Sequence, residues 1–317
     1  MMRILITGAT SFTGQAAAKA FLEDPETEVF GTFRPDSRKK DRLPVCPRFH
    51  AVPASLEELS DGTVTDLVRP DVILHLAWAG TAKHERMDPE VQERNVSLTA
   101  SLLRHAASCG CRRFLFAGSQ AEYGVTLERL ERDGAPALPY GEETECRPVS
   151  EYGRAKRRVL SEGAAVSRES GMVYIHLRIF SLYGRGEPDT TLVQTAVRAA
   201  AAGARAEFGP CRQPWNFLAV SDCAEAIRLL ALTDRAGIPE KDSDAAVNIG
   251  STDTRILREF AEEIFSAAGR GSVSFSERPP GPEGTPALAP DISRLESLTG
   301  FRPRKTFREG ILELLAT

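Results

Sequence analysis

The chain is expected to fold as a doubly wound parallel α/β sheet followed by a smaller, less regular C-terminal lobe. Three observations predict this: apolar strand-length runs alternate with helical patterns through the first 180 residues, Asp71–Ala77 is a near-continuous apolar run, and the alternation loosens after Gly184. A continuous apolar strand is what a parallel sheet covered on both faces requires. Strand–helix–strand repeats impose right-handed crossovers, and ligands on such sheets sit at the carboxyl ends of the strands.

In order, Arg3–Thr7 reads as a strand, Thr13–Leu22 as a helix, and Val29–Phe33 and Phe49–Val52 as strands. Leu56–Val68 is expected to be one helix, Asp71–Ala77 a strand, Pro89–Ser108 a long helix and Arg113–Ala117 a strand. Tyr152–Ser170 is then helical and Val173–Phe180 extended. Beyond them, Leu192–Gly203, Ser221–Leu232 and Ile256–Ala268 have helical periodicity, Ala246–Ile249 is strand-like, and a Pro/Gly-rich stretch from Pro279 to Pro290 precedes two short helices. We expect residues 1–183 with 214–250 to form the first domain and 184–213 with 251–317 the smaller lobe.

Composition excludes several functions. With 42% hydrophobic and 26% charged residues and a net charge of −4, the 317-residue chain is an ordinary globular protein without the basic face of a nucleic-acid binder. It has no apolar run long enough to span a bilayer and begins as a strand, so no membrane partner and a cytoplasmic location are expected. The six cysteines lack zinc spacing and read as reduced thiols, and His50, His75, His84, His105 and His176 are scattered, so no metal is expected. His75, inside a strand, reads as a hydrogen-bonded core histidine.

The first strand runs directly into Thr7-Gly8-Ala9-Thr10-Ser11-Phe12-Thr13-Gly14 and a helix. Glycine at the strand exit permits a tight turn, a later glycine permits close helix–sheet packing, and the helix N-terminus presents N–H groups to a pyrophosphate. This is the dinucleotide-binding turn of a Rossmann-type sheet. Ser11 occupies the place of the usual middle glycine, and its Cβ is expected to crowd the diphosphate. The second strand ends at Thr32-Phe33-Arg34 without an acid to receive ribose hydroxyls, while Arg34, Arg38 and Lys39 supply positive charge, which favours NADP(H) over NAD(H).

Tyr152 and Lys156, four apart, project from one face of a helix. A neighbouring ammonium lowers a phenol's pKa, so Lys156 is expected to make Tyr152 a usable acid–base group. Ser119, just past the strand Arg113–Ala117, can hydrogen-bond the same substrate oxygen.

With these residues in place, the chain resembles the extended branch of the short-chain dehydrogenase/reductase superfamily, the NAD-dependent epimerase/dehydratase group. The likeness runs through Gly8–Gly14, Arg69–Ala77, Asn95-Val96, Ser119–Gly124, Tyr152/Lys156, Arg178–Gly186, Asn216–Asp222, Asn248–Ser251, Asp291–Ser293 and Leu298–Phe301. The resemblance implies a nicotinamide cofactor held by Gly8, Thr10, Ser11, Phe12, Thr13, Gly14, Arg34, Arg38, Leu76, Ala77, Trp78, Asn95, Tyr152, Lys156 and Phe180. It implies a nucleoside-diphosphate sugar contacted by Gln120, Ala121, Ser181, Arg185, Arg212 and Trp215, with Ser119, Tyr152 and Lys156 catalytic. Arg178 would support the loop facing the substrate. The acidic pair that dehydratases carry after the active-site hydroxyl is replaced by Gln120 and Ala121, which disfavours water loss. Reduction of a 4-keto-6-deoxy sugar is expected, with 4-epimerisation as the alternative within the group and a catalytically silent NADP(H)-binding regulator as the alternative outside it. A homodimer through Pro89–Ser108 and Tyr152–Ser170 is likewise implied by resemblance.

Overall fold

A computed structural model describes residues 1–316 apart from positions 83 and 135. Strands are numbered along the chain. The central sheet holds β1 (Met2–Thr7), β2 (Thr27–Phe33), β3 (Phe49–Pro53), β4 (Val72–His75), β5 (Arg113–Ser119) and β6 (Val173–Ile179). A seventh strand, β10 (Ala246–Ile249), completes it. The order is β3-β2-β1-β4-β5-β6-β10, every pairing parallel, so the chain reverses direction across the sheet between β1 and β4. That switch point opens a crevice at the carboxyl edge. The interior strands are apolar throughout, with Ile4, Leu5, Ile6, Ile73, Leu74, Phe114, Leu115 and Phe116 fully buried between the helix layers.

Three helices position the site. Phe12–Leu22 begins at Ser11, whose hydroxyl accepts the Gly14 N–H at 3.0 Å, and Pro89–Ser108 is capped by Asp88. Glu151–Ser170 starts at Ser150, which accepts from Gly153, and stops at Gly171 in the left-handed region at φ 77°. Each cap satisfies an otherwise orphaned backbone N–H.

The stretch Leu56–Val68 is two short helices, Leu56–Ser60 and Thr63–Val68, not one. Gly62, at φ 90°, breaks the ladder between them. The strand read as Asp71–Ala77 pairs only over Val72–His75, because beyond it the backbone N–H groups of Leu76 and Ala77 turn to the Thr7 hydroxyl.

The C-terminal lobe contains β7 (Ser181–Tyr183), β9 (Pro214–Ala219) and β11 (Thr254–Ile256) in one small sheet, and β8 (Arg205–Phe208) with β12 (Ser272–Phe275) in another. Its core gathers Tyr183, Phe217, Phe260, Ile264 and Phe307. The strand β9 belongs to this lobe, while the helix that follows it, Val220–Leu232, packs on the first helix of the main body. None of the described helices is long and apolar enough to cross a membrane.

Candidate active site

The glycine turn lies at the floor of the crevice. Gly8 has φ 71°, and a Cβ there would sit 3.1 Å from the Ala77 nitrogen, so only glycine lets β1 exit this close to β4. A cleft of about 790 Å³ opens above it, lined among others by Gly8, Thr10, Ser11, Arg34, Arg38, Leu76, Ala77 and Trp78. Its size, the glycine floor and the helix N-terminus fit a dinucleotide. Ser11 has an ordinary extended backbone (φ −71°, ψ 164°) and works as the helix cap. Its hydroxyl therefore accepts one N–H that the helix end would otherwise offer to phosphate.

Behind the cleft, His75 is fully buried and bonded at both nitrogens. The Thr7 hydroxyl accepts from Leu76 and Ala77 N–H, so its hydrogen goes to His75 Nδ1 at 2.7 Å, and Nε2–H meets Thr99 at 3.1 Å. Burial, assisted by the Lys156 charge, pushes the ring down to about 3. His75 is a neutral strut that fixes the cofactor loop. Asn95 works similarly: its amide donates to the Ala79 carbonyl and accepts the Ala79 N–H, so it shapes the loop and does not project into the cleft.

The Phe180 ring is buried among Tyr123 and Tyr140, outside the cofactor cleft. Phe12 and Arg185 share a neighbouring groove, with Thr13 in the helix turn beside it and Gly14 packed on the Gly8 carbonyl. Arg212 is on the surface, paired with Glu277, and Trp215 packs against Phe217 with its indole N–H unpartnered. Ser181 is half-buried on β7.

Ser119, Tyr152 and Lys156 do come together at the carboxyl end of β5. Gly153 allows it: a Cβ there would lie 2.5 Å from the Ala121 carbonyl oxygen, so the helix can press on the turn that follows Ser119. Ser119 contacts the Tyr152 phenol and eases its ionisation. Lys156 Nζ donates to the Ala117 carbonyl at 2.7 Å and lies 3.7 Å from the Trp78 ring centroid and 4.5 Å from that of Phe116. Burial holds this ammonium well below its usual range.

Burial raises Tyr152, and the largest opposing influence is Arg86, whose guanidinium stacks on the ring. Arg86 lies in a single 3-10 turn, Glu85–Met87, and is joined to Glu283 of the Pro/Gly-rich stretch. No periodicity in the sequence marks either residue.

Glu122, next to the catalytic turn, faces inward. It accepts the Ser119 N–H at 2.8 Å, His176 Nε2 at 2.8 Å and Arg178 Nε at 3.0 Å, and these partners bring it down to about 2 against the cost of burial. Arg178 also donates to the Glu142 carbonyl and lies over the Tyr123 ring, as a support for the turn. Gln120 stays half-buried and Ala121 buried beside Ser119, so no carboxylate is free at the hydroxyl pair.

The fold and site thus define a dinucleotide-binding protein with a serine–tyrosine–lysine set at its sheet edge. The model of the NAD dependent epimerase/dehydratase family matches residues 4–250, and the chain belongs to that family. It is 26% identical over 326 residues to the UDP-N-acetyl-alpha-D-glucosaminuronate decarboxylase of Bacillus cytotoxicus, spanning 99% of this chain and 96% of the relative. It is also 26% identical over 328 residues to the dTDP-6-deoxy-L-talose 4-dehydrogenase (NAD(P)(+)) of Kitasatospora kifunensis, spanning 98% and 94%. The solved UDP-glucuronic acid 4-epimerase of Bacillus cereus in complex with NAD superposes with a TM-score of 0.79 at 19% identity, covering 98% of this chain and 94% of that one.

Proposed function

We propose that the protein is an NAD(P)-dependent oxidoreductase of a nucleoside-diphosphate sugar that reduces a 4-keto-6-deoxy sugar, with Tyr152 as general acid. One observation carries this reading: Tyr152, next to Ser119, packs edge-on against Trp78 of the dinucleotide cleft, with Gln120 and Ala121 in place of acids and Glu122 turned into the core. Such a site can move a proton and orient an oxygen, and it lacks a second free acid for dehydration. The Kitasatospora relative, named for a 4-dehydrogenase of a 6-deoxy sugar nucleotide, supports the same choice.

A nicotinamide bound in the cleft would supply hydride to the sugar carbon. Ser119 would donate a hydrogen bond to the carbonyl oxygen at that carbon, Tyr152 would deliver its proton to the same oxygen, and Lys156, beside the Ala117 carbonyl, would hold the nicotinamide ribose. NADP(H) is the preferred cofactor because Arg34 and Arg38 face the cleft and Arg34 is 79% exposed, only loosely paired with Asp36 at 3.8 Å.

The test mixes the protein with a nucleotide-linked 4-keto-6-deoxyhexose and either cofactor. NADPH absorbance is expected to fall, NADH to react more slowly, and Arg34→Asp to reverse that preference; equal losses with both cofactors would remove Arg34 from the phosphate site. A 4-epimeric sugar appearing at constant absorbance would overturn reduction. It would establish the second reading, epimerisation, which the Bacillus cereus epimerase structure favours.

A further inference from the structure

Tyr152 lies beneath a guanidinium that comes from outside its own helix. The Arg86 guanidinium carbon is 4.1 Å from the Tyr152 ring centroid. Its Nε meets the two carboxylate oxygens of Glu283 at 3.0 and 3.1 Å, and Nη2 adds a contact at 3.0 Å. Glu283 is 197 residues further along, in the C-terminal lobe, so the ion pair spans the two parts of the molecule directly over the phenol. Both side chains are largely shielded, 19% and 22% exposed, where charge acts more strongly than at an open surface.

We infer that Arg86 is the positioning residue that readies Tyr152 for proton transfer, and that Glu283 holds its charge in check from the C-terminal lobe. The inference rests on the reading of Tyr152 as the proton-relaying group. The groups facing the phenol divide cleanly. From its own helix comes Lys156, with Nζ 5.6 Å from the ring centroid and committed to the Ala117 carbonyl. From the end of β5 come Ser119 and, behind it, Glu122, whose oxygens are taken by His176, Arg178 and the Ser119 N–H. From the two loops come Arg86 and Glu283.

Of these two described cations, the guanidinium is nearer the ring, whereas burial weakens the hold of Lys156 on its proton. Arg86 and Ser119 favour the phenolate, while Glu122 and Glu283 oppose it. Movement of the Glu283 loop would leave the guanidinium on the ring uncompensated and make the phenol more acidic.

The experiment titrates tyrosinate by ultraviolet difference absorbance in the cofactor-free protein, with Tyr152→Phe as the subtraction. All five tyrosines, Tyr152 included, are pushed up by burial, so the step that vanishes in Tyr152→Phe is the one assigned to Tyr152. Arg86→Gln is expected to raise that midpoint by about one pH unit, a tenfold loss of tyrosinate at fixed pH. Glu283→Gln is expected to lower it, and Arg86→Lys to recover most of the wild-type value. In the active enzyme, the acid limb of kcat/KM for the oxidative direction should move with the same signs. Midpoints that ignore both substitutions, or move the same way in both, overturn the inference. Opposed shifts in a protein that turns over no nucleotide sugar would uphold the inference and sink the functional reading; an active enzyme with unmoved midpoints does the reverse.

Discussion

His75 and His176 stand in one row across three neighbouring strands, with Phe116 of β5 between them at ring distances of 5.8 and 5.2 Å. Both are fully buried, yet their partners differ in kind. His75 is bonded to two threonine hydroxyls and carries no charge into the loop over the cofactor cleft. His176 meets a carboxylate and a tyrosine: Glu122 can only accept, so Nε2 bears the hydrogen, and Nδ1 lies 2.8 Å from the Tyr174 hydroxyl, which also reaches the Val159 carbonyl at 3.1 Å. Beside it, Glu122 and Arg178 form a buried ion pair that holds the Ser119 turn. A neutral strut can lose a partner at moderate cost. A buried charge network is stable only when complete.

The largest effect is therefore expected at Glu122. Glu122→Ala leaves the Arg178 guanidinium buried without its acceptor and should cost about 3–5 kcal/mol in urea unfolding, with loss of turnover as the Ser119 turn loosens. A cost below about 1 kcal/mol would mean that water replaces the carboxylate and that the two clusters do not differ as argued.

The next test separates the clusters by pH. His75 falls from an ordinary 6.5 to about 3, so the unfolded chain binds more protons in that window and stability is lost as pH drops below 6.5. This ring alone gives a slope approaching 1.4 kcal/mol per pH unit. His176 is shifted in the same direction by burial. Glu122, lowered from 4.5 to about 2, contributes stability that is present above 4.5 and disappears as pH falls through about 2. His75→Gln should reduce the slope between 6.5 and 4.5, where the His176 share remains, and leave the Glu122 loss below about 3 intact, measured as unfolding free energy against pH. An unchanged slope below 6.5 would show that His75 takes up its proton while folded.

The smallest effect is expected where an arginine–carboxylate pair lies in water. Arg212 and Glu277 are 63% and 73% exposed, so Arg212→Ala should alter stability by no more than about 0.5 kcal/mol and leave the sugar-nucleotide KM unchanged. A large rise in KM would return Arg212 to the substrate site, where the resemblance had placed it.

Much of the site was legible because its geometry is local. Gly8 and Gly14 flank one turn, and Tyr152 and Lys156 are one helical turn apart, so sequence spacing is nearly spatial spacing. The contacts of Asn95, Phe180 and Arg212 were not legible for the opposite reason: a residue type at a motif position fixes the backbone but not the direction of its side chain. Asn95 turned to Ala79, Phe180 to two tyrosines and Arg212 to Glu277.

The sequence by itself determined the strand–helix alternation, the glycine turn and the serine–tyrosine–lysine set, since each depends on periodicity or short-range sterics. Only the tertiary structure decided which charges surround the phenol. Glu122 and His176 are 54 residues apart and Arg86 and Glu283 are 197 apart. Electrostatic influence depends on distance and burial in the folded molecule, and neither quantity is written in the spacing of residues along the chain.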